Sequence, residues 1–232
     1  MVGLATGRST TITQWSVFVQ ISKLVKIGQA QHVNALYEDG ELFIRRVLAF
    51  RDIEANEVGD KYENLLLNYQ SHKVSCSWGG IEFSEESGLV GQVQITDNSY
   101  NPFSYCMYGF ATDAFPKKQL IDTKCKEFGD SAVFILDVKE FFNRVKSACL
   151  SQGIGCKSSM VSYEDFASYH GKVGPFVKDC SFKHQSEFRM LFEIPSENSD
   201  TAKIHIGSLR DIALVGNVDK INKELSQIYE QD

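Results

Sequence analysis

The sequence predicts one α+β domain, with strands dominating its middle and end. Three observations lead there. Short segments of alternating apolar and polar residues recur along the chain, as half-buried strands require. Stretches at residues 29–39, 141–149 and 218–228 instead carry apolar residues at helical spacing. No repeat, low-complexity tract or Pro/Gly/Ser linker divides the 232 residues, so 1–232 reads as a single unit.

Residues 1–13 are small and polar and are expected to form a frayed N-terminal segment. Trp15–Ile21 reads as the first strand. Over Gln29–Asp39, Val33, Leu36 and Tyr37 share a helix face, and Gly40 supplies the stop. Leu42–Phe50 returns as a strand in which the neighbours Arg45 and Arg46 point to opposite faces. One of them therefore faces an interior or a cleft. Residues 51–69 open as a polar turn and close in an apolar patch. Val74–Gly80 and Gly91–Thr96 are short strands joined by a polar, glycine-containing loop. Pro102 marks a break before a strand over Ser104–Phe110.

Ala132–Val138 is an apolar run bounded by charges, consistent with a central strand. Asp137 and Glu140 have capping-box spacing ahead of a helix face formed by Phe141, Phe142, Val145, Ala148 and Cys149. Met160–Tyr163, Lys203–Ile206 and Ile212–Val215 are short strands, and Val218, Ile221, Leu225 and Ile228 make a closing amphipathic helix. Between these lies the most informative stretch, Phe182–Ile194. Phe188, Met190, Phe192 and Ile194 alternate. A strand that begins a few residues earlier puts Gln185, Glu187 and Arg189 on its other face, roughly 7 Å from one to the next. Such a face is ordinarily solvated. The sharper alternative is an active-site strand with Glu187 at its start.

Hydrophobic content of 43% and charged content of 23% are those of a soluble globular protein. No run approaches the ~18 apolar residues of a membrane span, and the N-terminus lacks the apolar core of a secretory signal. Cytoplasmic residence without a membrane partner is the expectation. The six cysteines form no CxxC pair, so free thiols are expected in place of a disulfide framework. The five histidines are scattered, with no HExxH, and no metal is expected. A net charge of −6 argues against broad, non-specific nucleic-acid binding and leaves room for a local basic groove. Neither a GxSxG nucleophile elbow nor a Walker-type phosphate loop is present.

The remaining chemistry-bearing residues fall in three places. Tyr62 and Glu63 close the polar turn Gly-Asp-Lys-Tyr-Glu-Asn; Ser104, Tyr105 and Tyr108 lie on the mid-chain aromatic strand; Gln185, Glu187 and Arg189 lie in the late one. Each has an ordinary role open to it. Tyr105 and Tyr108 serve equally well as core residues with satisfied hydroxyls. Asp60, Lys61 and Glu63 serve as solvated turn charges.

The order of these motifs carries two resemblances. The run from Leu36 to the Asp60-Lys61-Tyr62-Glu63 turn, the strand SYCMYGF and the late Glu187-Phe188-Arg189 resemble a family of uncharacterised bacterial domains. That family is found among mobile and anti-phage defence genes. The resemblance covers most of residues 15–217. Gln185-Ser186-Glu187 is also similar to the Gln-x-Glu third motif of ADP-ribosyltransferases, and Ser104 and Tyr105 match their second. The first strand offers Gln20 and Ser22, so the basic residue of the first motif falls to Arg45, Arg46 or Arg51.

The second resemblance implies a split, mainly antiparallel β-core with flanking helices and NAD as substrate. It implies that Glu187 stabilises the positive charge that builds on the ribose carbon as nicotinamide leaves, while Gln185 orients the incoming nucleophile. Arg45, Arg46, Arg51 or Arg189 would hold the pyrophosphate, and Tyr62, Ser104, Tyr105 and Tyr108 would complete the NAD site. The function implied is a toxin-like transferase of anti-phage defence that modifies an RNA or protein acceptor. An antitoxin-like inhibitory partner would restrain it. The alternatives are an NAD glycohydrolase and a non-enzymatic binding module.

Overall fold

A computed structural model describes residues 21–51, 59–112, 118–194 and 198–230. The architecture is mixed α+β and mainly antiparallel, around one eight-stranded sheet. Its strands are β1 (Ile21–Gly28), β2 (Glu41–Arg46), β7 (Phe103–Ala111), β8 (Ser131–Ile135), β9 (Gly155–Met160), β13 (Glu187–Glu193), β14 (Thr201–His205) and β15 (Ala213–Gly216). Smaller pairings surround it. β3 (Leu65–Gln70) lies between β6 (Gln92–Thr96) and β11 (Gly171–Lys172), and β4 (Cys76–Trp78) forms a hairpin with β5 (Ile81–Phe83). β10 (Ser162–Glu164) and β12 (Val177–Asp179) run parallel.

β7 organises the large sheet. Along one edge it pairs with β13 from Phe103 to Tyr108. Its other edge is shared: β1 pairs with the stretch from Tyr108 to Ala111, and β2 with Phe103 and Ser104. The sheet therefore parts at Tyr105–Met107, which have no ladder partner on that edge. Alternation along both strands sorts their side chains. Phe103, Tyr105 and Met107 of β7 enter the main core with Phe188, Met190 and Phe192 of β13. Ser104, Cys106 and Tyr108 share the opposite face with Glu187, Arg189 and Leu191.

Helix α2 (Val138–Gln152) covers the main core with Phe141, Val145 and Cys149, at the i, i+4, i+8 spacing of one helical face. Asp137 caps it by accepting the Glu140 N–H at 2.9 Å, as its spacing predicts. Helix α1 (Ala30–Asp39) adds Val33 and Leu36 and ends at Gly40, which takes the left-handed φ of 64°. A Cβ at Gly40 would lie 2.0 Å from the Gly207 carbonyl oxygen, so glycine is required there on two counts. Helix α3 (Val218–Tyr229) packs Val218, Ile221, Leu225 and Tyr229 into a second core beneath β1 and β8.

Several expectations change, among them the short strand read over Met160–Tyr163, which is split at Val161 between the end of β9 and the start of β10. The strand read over Leu42–Phe50 ends at Arg46, because Val47 turns to bond the Pro102 carbonyl and residues 47–50 wind into a 3₁₀ turn. The Trp15–Ile21 strand reading and the frayed-segment reading of 1–13 fall, Ile21 apart, on residues outside those described; the first described strand is Ile21–Gly28. The late strand begins at Glu187, not earlier: Cys180–Gln185 is a 3₁₀ turn capped by Asp179, which accepts the Ser181 N–H at 3.1 Å. Among the described residues, no helix is long and apolar enough to cross a membrane.

Candidate functional site

Beside the parting of the sheet lies a cavity of about 410 Å³, lined from β1, β2, β7, β12, β13 and the turn at Glu63. At its base the structure assembles a chain of buried charges. The Arg189 guanidinium forks onto Glu63, with Nη2 donating to Oε1 at 2.6 Å and Nη1 to Oε2 at 3.0 Å. Its Nε donates to Glu187 Oε1 at 2.6 Å, and Nη1 also reaches the Pro175 carbonyl at 2.8 Å. Lys178 Nζ takes the other Glu187 oxygen at 3.0 Å and Gln185 Oε1 at 2.9 Å.

Glu187 is only 4% exposed, and Arg189 2%. The solvated reading of this strand face is thereby overturned, and so is that of Asp60 and Glu63, which are equally buried. Period-two alternation assigns parity; it does not reveal what packs on the face. Here the turn at Glu63 and the segment carrying β12 cover it.

The same cations favour the charged form of both carboxyls, but their balance against burial differs. Burial opposes charge on Glu187, but Arg189 and Lys178, with the Arg189 hydrogen bond, outweigh it and hold the group well below the ordinary carboxylate range. For Glu63, burial prevails and raises the pKa, with Arg189 and Lys178 offsetting it only in part and Asp60 and Glu187 adding to it. The Cys106 thiol, which hydrogen-bonds Glu187, is pushed up to about 12 by burial and by that carboxylate. The thiol therefore stays neutral, and its sulfur also contacts Ser104 Oγ at 3.3 Å.

The residues expected from the sequence divide into two groups. Gln185, Glu187, Arg189, Ser104, Tyr105, Tyr108 and Arg45 all line the cavity. The Arg45 side chain makes no hydrogen bond or ion pair among the described residues, so its fork is open to an anion. Gln185 reaches the site from the 3₁₀ turn and not, as expected, from the strand face. Ser186, held at φ 40° and ψ 50°, turns the chain between it and Glu187. Ser186 Oγ donates to the Gly109 carbonyl at 2.8 Å and fastens that turn to β7. The Tyr108 hydroxyl donates to the Leu120 carbonyl at 3.1 Å.

Arg46, Arg51 and Tyr62 lie outside the cavity lining. Arg46 sits 4.2 Å over the Phe103 ring and donates to the Asn101 carbonyl at 2.7 Å. Arg51 braces the Glu63 turn from behind, its Nε donating to the Glu63 carbonyl at 2.8 Å. Tyr62 packs edge-on against Phe166, centroids 5.2 Å apart, in a small separate core. These three hold structure near the site.

Two lysines in the site had not been singled out from the sequence. Lys26 Nζ donates to the Cys106 carbonyl at 2.9 Å and lies 4.5 Å from the centre of the Tyr105 ring. It thus satisfies a carbonyl that the parted sheet leaves without a ladder partner. Burial draws its pKa down, against the opposing pull of Cys106 and Glu187. Its signal in the sequence was a lysine inside the apolar run Leu24–Ile27. Lys178 had no such signal, because its partners are set by the turn that follows it.

Among the described residues, Asp165, Asp179 and Cys180 are close enough to suggest a metal site. Both aspartates are engaged in local caps, Asp165 with the Ala167 N–H and Asp179 with those of Phe166 and Ser181. No known protein-family model, curated protein or solved structure matches this chain.

Proposed function

We propose that the chain is an ADP-ribosyltransferase that breaks the nicotinamide–ribose bond of NAD and passes ADP-ribose to a macromolecular acceptor, RNA or protein, in bacterial anti-phage defence. The observation that carries the reading is the ionised Glu187 carboxylate at the start of β13, in a cavity also lined by Arg45, whose side chain has no partner among the described residues, and by Tyr105 and Tyr108. The parted antiparallel sheet is in keeping with an ADP-ribosyltransferase-like core.

The residue types suit this substrate. Arg45 is placed for a pyrophosphate, with Lys26 adding positive charge from the neighbouring strand. Tyr108, on the same sheet face as Glu187, offers a ring for nicotinamide. A carboxylate kept ionised in a water-poor site stabilises the developing cation at the ribose carbon. The carbon–nitrogen bond breaks with its electron pair leaving on nicotinamide. The acceptor, oriented by Gln185, then bonds to that carbon and releases its proton to water. Cytoplasmic residence and an inhibitory partner that masks the cavity belong to the same proposal.

Radiolabelled NAD incubated with the protein and a whole-cell lysate, then split by protease or ribonuclease, tests it. Label lost to one treatment supports transfer and gives the acceptor class. Free ADP-ribose alone makes water the acceptor and the enzyme a glycohydrolase. A folded Glu187→Gln variant is expected to lose activity roughly 100- to 1,000-fold.

One observation favours a second, non-enzymatic reading: both Glu187 oxygens already accept bonds from Arg189 and Lys178. No NAD loss from the folded wild-type protein makes this a binding module with a structural charge cluster.

A further inference from the structure

Lys178 touches both Gln185 and Glu187, yet it belongs to neither of their elements. It sits on β12, in the small parallel pair outside the main sheet. Gln185 ends a 3₁₀ turn and Glu187 begins a strand, with the left-handed Ser186 between them. No backbone ladder brings the two side chains together; the Lys178 ammonium does, at 2.9 and 3.0 Å. The Phe182 ring lies 4.7 Å from that ammonium, which is itself buried.

A buried ammonium is costly unless it is paired and hydrogen-bonded. Lys178 meets that condition only while Gln185 and Glu187 stay where they are, so each of the three orders the others. A carboxylate offers about four acceptor positions. Arg189, Lys178 and the Cys106 thiol leave room on Glu187 for one further donor from the cavity.

We infer that Lys178 is a positioning residue of this site: it locks Gln185 and Glu187 into one arrangement beside the cavity and supplies charge that keeps Glu187 ionised. The kinetic consequence rests on the NAD reading; the arrangement itself does not. The other groups facing Glu187 are Arg189 on its own strand, Cys106 on β7, Tyr163 on β10, Lys26 on β1 and the Glu63 turn. Arg189 remains when Lys178 is removed, so the carboxylate keeps one strong partner and loses the other.

The test compares wild type, Lys178→Met and Lys178→Arg by two readouts. The first is NAD turnover. Lys178→Met is expected to lower kcat roughly 100-fold while KM changes by less than about threefold, and Lys178→Arg to recover most of the loss. The second is an NMR titration of carboxyl-labelled glutamate, with Glu187 assigned by the signal missing from Glu187→Gln. Its midpoint is expected to rise by about one pH unit or more in Lys178→Met and to stay low in Lys178→Arg.

A folded Lys178→Met protein whose Glu187 titrates as in wild type overturns the inference, as does one with unchanged kcat. If wild type turns over no NAD, the enzymatic reading falls, and the titration alone still decides the role of Lys178. If Lys178→Met does not fold, the wild-type Lys178 ammonium nitrogen decides. A resonance that responds to Glu187 protonation supports the pairing, and one that ignores it overturns it.

Discussion

Glu187 and Glu63 are two buried carboxyls on one guanidinium, displaced in opposite directions, and that opposition has a signature in stability. The ordinary value for both is 4.5. Glu187 is displaced downward, so its contribution is complete above 4.5 and drains away as pH falls toward its folded value. Glu63 is displaced upward, so its charged form costs stability above its folded value, and protonation relieves that cost as pH falls toward 4.5. Urea unfolding across the acid range should therefore show Glu187→Gln losing part of the wild-type decline below about pH 4.5. Glu63→Gln should instead lose the relief above it. At neutral pH Glu187→Gln breaks a buried pair and is expected to cost on the order of 3 kcal/mol, whereas Glu63→Gln removes a charge that burial disfavours and is expected to cost less. Little of this was legible at the residue scale. Glu63 and Arg189 are 126 positions apart and their contact is wholly tertiary. Lys178 looked like any lysine between a valine and an aspartate.

Elements were far more readable, because their signals are local. The alternation of Phe188, Met190 and Phe192 assigned the buried face of β13 correctly. Asp137 and Glu140 marked the start of α2, and Val218, Ile221 and Leu225 marked the buried stripe of α3, whose last place goes to Tyr229 while Ile228 is exposed. The failures share a cause. Residues 180–185 and 47–50 are 3₁₀ turns, whose three-residue period is too short to leave a pattern and whose bonds come from Asp179 or from Pro102 across the chain. Gly40 tests how tightly the elements are joined. It ends α1 and accepts the Ile206 N–H at 3.0 Å just beyond β14, where the Gly207 carbonyl leaves no room for a methyl group. Gly40→Ala is expected to cost roughly 2 kcal/mol or more, above the usual ~1 kcal/mol of left-handed strain, because backbone must also move. Chemical denaturation of the two proteins measures it. Asp137, by contrast, offers only a cap worth about 1 kcal/mol.

The whole molecule hangs on β7, and no local pattern announced it: the mid-chain position of an aromatic strand does not say that three others will meet there. By alternation, the amides of Tyr105 and Met107 face β13, whereas that of Cys106 faces the parting and has no ladder partner there. Hydrogen exchange should therefore show Tyr105 and Met107 among the slowest amides, with Cys106 exchanging at least about tenfold faster between them. Equal protection at all three would mean that the parting is closed in solution. The same centrality bears on how the protein comes into being. A growing chain produces β1, β2 and β7 early, with Lys26, Arg45 and Glu63 in place but without counter-charges or a second edge for β7. Lys178, Glu187 and Arg189 arrive together later, giving β7 its second edge and completing the charge chain in one event. If the chain is the transferase proposed above, this is a delay written into the order of the strands: until residue 189 has been added, the site lacks its carboxylate and its guanidinium.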